Sequence, residues 1–267
     1  MQTTPYEGLH IKNGQPNKIE DALVVEAALQ ININNEPYTV VMRTPGDDFE
    51  LIRGLLYAED IYKHTADLNL EYIEQRDNAF CIVNATIPKE KLGKGYLNKR
   101  TLLSVSSCGI CGKQKLDDIT FTGKALSDDK QFDINQVEAM FKTMTSQQKT
   151  FDLSGGSHAA AIFDKHNKML ILKEDIGRHN AVDKAVGQLL IAHHLKETQV
   201  LLVSGRVSFE IVSKAFIAQI PVVVAVSSCS SLAVDFAKEL GVCLIGFSRG
   251  NKSTIYANPS LIKPLKN

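Results

Sequence analysis

The sequence predicts an α/β protein: a three-layer α/β domain in residues 121–267, following a smaller β-rich N-terminal domain in residues 1–120. Three observations predict it. From residue 158 to 247, short runs of Val, Ile and Leu alternate with segments whose apolar residues recur at helical spacing, such as Val182, Ala185, Val186, Leu189 and Leu190. The runs, such as Val200 to Val203, are apolar on both faces, which suits parallel strands covered by helices. Residues 22–43 instead alternate in steps of two, the mark of half-buried strands. With 267 residues, 44% of them hydrophobic and 22% charged, the chain can bury a sizeable core.

Taken in order, the first twenty residues are rich in Asn, Gln and Lys and are expected to form a polar arm. Val25, Ala27, Leu29, Ile31 and Ile33, then Tyr38, Val40 and Met42, predict a hairpin turning at Asn34-Asn35-Glu36-Pro37. Pro45-Gly46 breaks the strand. Asp47 or Asp48 is then expected to cap a helix with Phe49, Ile52, Leu55 and Leu56 on its apolar face. Residues 70–87 return to strand patterning, and Lys89 to Arg100 is basic and contains glycine. Val137, Met140, Phe141 and Met144 mark a helix. Thereafter the pattern reads strands at 159–163 and 169–172, helix 181–194, strand 199–203, helix 208–218, strand 221–226, helix 230–240 and strand 242–247.

Thirty basic residues balance thirty acidic ones, which removes the single-sign field that nonspecific binding to nucleic acid or an anionic membrane would need. No apolar run approaches the roughly 20 residues of a spanning helix. The first residues have neither the basic start nor the apolar stretch of a secretory signal, so the cytoplasm is the expected compartment. Five cysteines, three of them scattered, fit a reducing environment better than a disulfide framework.

In open α/β sheets, ligands bind beyond the carboxyl ends of the strands, where helices also aim their N-terminal amides. Four such ends are loaded here. Gly177, Arg178 and His179 follow the first strand, Ser204, Gly205 and Arg206 the second, Ser227 the third, and Ser248, Arg249, Gly250, Asn251 and Lys252 the fourth. Arginine forks match phosphate oxygens, glycine admits close backbone approach, and serine adds donors, so the edge suits a diphosphate. Neither a G-x-G-x-x-G nor a Walker sequence is present. His158 and His179 are candidate proton carriers.

Cys108-Gly-Ile-Cys111 lies in a Ser/Gly-rich stretch without helix or strand period, expected to be a flexible loop. Taken alone, the pair could be half a metal site, a dithiol redox pair, a sulfur-handling nucleophile, or inert. Metal is the weakest of these, because a second ligand pair is missing. Lys113 and Lys115 nearby favour the reactive thiolate. Cys229 and Cys243 are expected to pack as small hydrophobes.

In order, Arg43-Thr-Pro-Gly-Asp-Asp-Phe-Glu-Leu51, Ser107-Cys-Gly-Ile-Cys-Gly112, Gly155-Gly-Ser-His-Ala-Ala-Ala161, Glu174 to Lys184, Ser204 to Glu210 and Gly246-Phe-Ser-Arg249 form a set of ordered blocks. By these blocks the sequence resembles the formate dehydrogenase accessory sulfurtransferase family (FdhD). The resemblance implies a sulfurtransferase that takes persulfide sulfur from a cysteine desulfurase. It would deliver that sulfur to the molybdenum of a bis(molybdopterin guanine dinucleotide) cofactor, for formate dehydrogenase. It also implies a cytidine-deaminase-like fold and a homodimer, without deaminase chemistry, since His158 is followed by Ala-Ala where H-x-E would be needed. The family's persulfide cysteine maps onto Cys108, with Cys111 as a possible resolving thiol, and its cofactor-contacting stretch maps onto Phe247 to Lys252. GDP, which shares the guanine and diphosphate, is expected to bind as a mimic. A molybdenum cofactor chaperone without covalent transfer and a dithiol oxidoreductase are the competing classes.

Overall fold

Asn13-Gly14, with both residues in the left-handed region, is a strong short-range hairpin signal. In the computed structural model, which describes residues 1–77, 79–97, 124–127, 131–250 and 252–264, it joins β1 (Thr3–Lys12) to β2 (Gln15–Val24) as an antiparallel pair. The expected polar arm is therefore a hairpin: polar side chains hid a turn signal whose mechanism is backbone conformation.

β3 (Ala27–Ile33) and β4 (Glu36–Arg43) turn at Asn34-Asn35, as the alternation predicts, and both asparagines take positive φ. α1 (Asp48–Ala58) follows. Neither aspartate caps it through its side chain: Asp47 pairs with Lys173 at 2.6 Å, and buried Asp48 takes Arg43. β5 (Asn69–Gln75) and β6 (Cys81–Thr86) complete a four-stranded sheet in the order β4-β3-β6-β5. Leu29, Ile31 and Val83 of this sheet share a core with Leu51, Ile52 and Leu55 of α1.

The second sheet has six strands. α2 (Val137–Thr145) and α3 (Lys149–Ser154) precede β7 (His158–Asp164) and β8 (Met169–Asp175). Then come α4 (Arg178–Ile191), β9 (Thr198–Val203), α5 (Phe209–Ile217), β10 (Val222–Ala225), α6 (Ser231–Leu240), β11 (Cys243–Arg249) and β12 (Lys252–Ala257). The order is β12-β11-β10-β9-β7-β8. One face packs on α4, α5 and α6 through residues such as Val182, Ile211 and Ala237, and the other on Val137, Met140 and Met144 of α2.

Three expectations change here. The sheet is mixed, since only β9, β10 and β11 pair in parallel, while β7, β8 and β12 enter through antiparallel pairs. The helix read at 181–194 starts three residues earlier, at Arg178. The segment after β11 does not stay a loop but turns back as β12, whose polar Lys252-Ser-Thr254 start masks strand character. The chain is thus a mixed α/β protein, and no helix among the described residues is long and apolar enough to cross a membrane. The boundary drawn at 120/121 lies outside the described residues.

The two sheets meet where α1 crosses α4. A Cβ on Gly54 would sit 2.0 Å from the Asp183 carbonyl oxygen, and one on Gly187 1.8 Å from that of Glu50, so both positions require glycine for backbone contact. Beside the crossing lies a buried polar seam. The Lys184 ammonium donates to Asp175 Oδ2 at 2.8 Å and to the Thr44 carbonyl at 2.8 Å, with both side chains fully buried. Thr44 N–H donates to the same carboxylate, Ile176 N–H donates to Thr44 Oγ1, and Asn180 Nδ2 donates to the Met42 carbonyl. Two of the sequence blocks, around Arg43 and around Lys184, therefore hold the sheets together, because each buried polar group there has a partner.

Candidate functional site

Strand direction gathers the candidate residues. β7 runs antiparallel to both β8 and β9, so β8 points the same way as β9, β10 and β11. The carboxyl ends of all four strands, the start of β7 and the N-termini of α4, α5 and α6 consequently share one edge.

At its centre, Arg178 opens α4 after Gly177, with no side chain capping that helix. Its Nε is buried and has no hydrogen-bond partner among the described residues. An unpartnered buried guanidinium nitrogen is costly unless an acceptor arrives. His158 lies against it: burial first, and then the Arg178 charge, push the imidazole below its ordinary pKa, so it is neutral near pH 7. Gly205 leaves the space between them open, since a Cβ there would sit 3.1 Å from His158 Nδ1 and 3.6 Å from Arg178 Cδ.

The neighbouring loops are tied together. Val207 N–H donates to the Ser228 carbonyl and Ser230 N–H to that of Val207, so the loops after β9 and β10 pair like strands. His179 Nε2 lies 2.9 Å from Ser208 Oγ and 3.0 Å from Glu210 Oε2, which engages the residue that would cap α5. Ser204 Oγ accepts from Ala159 N–H and braces β7 on β9. Arg206 stands exposed. Arg249, also exposed, donates from Nε to the Val226 carbonyl at 3.2 Å.

The stretch from Phe247 to Lys252 is the tip of the β11–β12 hairpin. Phe247 is half exposed and has φ 50°, a left-handed conformation that costs a non-glycine residue about 1 to 3 kcal/mol. Its N–H donates to the Ser227 carbonyl. Ser248 is buried and bonded to Ser253 at 3.0 Å, so its hydroxyl faces inward, while Gly250 and Lys252 are exposed. Asn251, Cys108 and Cys111 lie outside the described residues.

The remaining thiols are muted. Cys229 and Cys243 are pushed up by burial to about 11 and about 12, and Cys81, held between Asp48 and Arg43, to about 11, by burial first. Two concavities, one of about 610 Å³ lined by Ile33, Lys89 and Tyr96 and one of about 270 Å³ lined by Phe49, Arg53 and Leu190, lie away from the strand-end edge. The α5 start, with His179, Ser208 and Glu210 in contact, is the feature sequence reading missed; its components are 29 or more residues apart except for Ser208 and Glu210.

A family model described as FdhD/NarQ family matches residues 24–263, most of the chain. The chain belongs to the FdhD/NarQ family. Curated relatives in this family include the sulfur carrier protein FdhD of Mycolicibacterium paratuberculosis, 40% identical with 95% of this chain and 96% of the relative covered. The sulfur carrier protein FdhD of Sulfolobus acidocaldarius is 37% identical over 98% of this chain and 99% of its own. A crystal structure from Desulfotalea psychrophila, described as a formate dehydrogenase accessory protein, superposes with a TM-score of 0.76 over 98% of this chain and 100% of that one. At 19% identity, that likeness concerns the fold. The six blocks that carried the resemblance all fall within the FdhD/NarQ match.

Proposed function

We propose that this FdhD/NarQ family member is a sulfurtransferase acting in formate dehydrogenase maturation. The observation that carries the reading is near-full-length similarity to sulfur carrier proteins together with a conjunction in this chain: a C-x-x-C pair, and a strand-end edge with a buried arginine nitrogen that has no partner among the described residues. The Cys108 thiolate attacks the outer sulfur of a cysteine desulfurase persulfide, the desulfurase thiolate leaves, and Cys108 carries the persulfide.

The bis(molybdopterin guanine dinucleotide) molybdenum cofactor is the substrate that receives the sulfur. Its diphosphate would be held by Arg178, Arg206 and the amides opening α4 and α5, with the Phe247 to Lys252 tip alongside. Two deliveries balance. Either the outer sulfur bonds to the metal, which supplies the electron pair as the Cys108 thiolate leaves, or Cys111 attacks Cys108, closing a disulfide and expelling hydrosulfide. The first needs one nucleophile and no re-reduction of the protein at each turn, and is the one we favour. The protein works as a homodimer in the cytoplasm.

Cys108→Ala tests the reading. The variant should bind GDP like the wild type yet fail to activate formate dehydrogenase in a strain lacking the wild-type protein. Full activation by Cys108→Ala would replace sulfur transfer with a holding role.

A further inference from the structure

The β1–β2 hairpin rests on α3 at its base and projects beyond it. Every residue from Pro5 to Asp21 is exposed, including Tyr6, Leu9 and Ile11, each more than half exposed, and neither outer edge of this two-stranded sheet is paired among the described residues. A two-stranded hairpin is marginal alone in water, and unpaired edges invite another strand. The family model begins at residue 24, the end of β2, while the Sulfolobus relative aligns over 98% of this chain and so covers most of the arm.

Its hydrogen-bond alternation says which edge is available. The two-residue Asn13-Gly14 turn makes Lys12 and Gln15 a hydrogen-bonded pair, so the pairs Ile11–Pro16, Leu9–Lys18, Glu7–Glu20 and Pro5–Ala22 are the non-bonded ones, with N–H and C=O groups facing outward. Both prolines fall at these outward positions, where no bond within the hairpin is lost. On β2 the outward groups belong to Lys18, Glu20 and Ala22.

Its charges say what fits there. Glu7 stands directly opposite Glu20, a destabilising like-charge pair. We propose that β2 pairs antiparallel with β2 of a second copy of this chain, about a twofold axis at Ile19. That register sets Lys18 against Glu20 of the partner subunit twice over, each at an outward, hydrogen-bonding position, and brings the two Ile19 side chains together. β1 offers no equivalent: its outward residues Pro5, Glu7, Leu9 and Ile11 contain no cation to face Glu7. The resulting four-stranded sheet exceeds the size at which hairpins stand alone. The proposal locates the homodimer contact of the reading above, and its readout does not depend on sulfur chemistry.

Sedimentation equilibrium of the full chain tests it, with circular dichroism as a check on folding. Lys18→Glu and Glu20→Lys should each weaken the dimer by about tenfold or more, because both cross-copy pairs become repulsive. An equimolar mixture of the two should regain wild-type association, as should the double variant. Glu20→Lys is informative in sign, since within one hairpin it relieves the clash with Glu7 and yet should weaken association. A monomeric wild type, single variants with unchanged association, or a mixture that stays as weak as its components would each overturn the proposal. A monomer would leave sulfur loading on Cys108 untouched as a separate question.

Discussion

The polar seam between the sheets and the strand-end edge of the second sheet are both built from charged residues in the same sequence blocks, but they differ in how their charges are met. In the seam, Lys184 has Asp175 and the Thr44 carbonyl, Thr44 N–H has the same carboxylate, and Arg43, next to Thr44, has both oxygens of Asp48. At the edge, Arg178 Nε has no partner among the described residues, and Arg206 reaches into solvent. Arg178 lies three positions after Asp175 and two before Asn180 on one short segment, yet among the described residues its Nε has no acceptor while its neighbours are paired. A satisfied charge holds the fold, and an unsatisfied one is available to a ligand.

The largest effect expected from breaking this contrast is in the seam. Lys184→Met removes one half of a fully buried pair, and chemical denaturation should show a loss of about 3 to 5 kcal/mol. A loss under 1 kcal/mol would mean that Asp175 finds another partner. Next, Gly187→Ala should cost about 1 to 3 kcal/mol or more, since its Cβ meets a backbone carbonyl of α1 that can move only with the helix. Unchanged stability there would show that the α1–α4 crossing is looser than the backbone contact implies.

At the edge, the effect should fall on binding instead. Arg178→Ala should weaken GDP binding in calorimetry by about ten- to a hundredfold, the worth of a charge-assisted contact, while Arg206→Ala, more exposed, should cost about tenfold. Stability should change little in Arg206→Ala, within about 0.5 kcal/mol. Equal GDP affinity in both variants and wild type would move the dinucleotide elsewhere.

The smallest effect concerns His158. Its pKa is lowered on folding, so the unfolded chain binds the proton more readily, and stability present above about pH 6.5 should fall as the pH drops below that value. His158→Gln should flatten that part of the stability profile. A profile unchanged by the substitution would assign the acid sensitivity to other groups.

What the sequence made legible follows from local physics. Helical and strand periods identify α2, α5 and β9 because packing of one face dictates them, and strand ends are readable because glycine, serine and arginine interrupt apolar runs. The seam was not legible: nothing local tells that Lys184 is fully buried in an α4 turn beside Asp175, since burial of a charge is decided by a partner 140 residues away, at Thr44. β12 escaped because Lys252-Ser-Thr254 carries no apolar alternation, and β1–β2 because an arm without a core shows none. The His179, Ser208 and Glu210 contact depends on the starts of α4 and α5 meeting, which sequence spacing does not encode.

The central claim, that Cys108 carries the sulfur, meets its most direct test in mass spectrometry of the protein after incubation with a cysteine desulfurase and cysteine. One added sulfur atom on Cys108, removed by reductant, is the expected result. Cys81, Cys229 and Cys243 should remain unmodified, since thiols raised to about 11 or about 12 hold little thiolate at neutral pH. Added sulfur found only on Cys229 or Cys243, with Cys108 unchanged, would contradict the account.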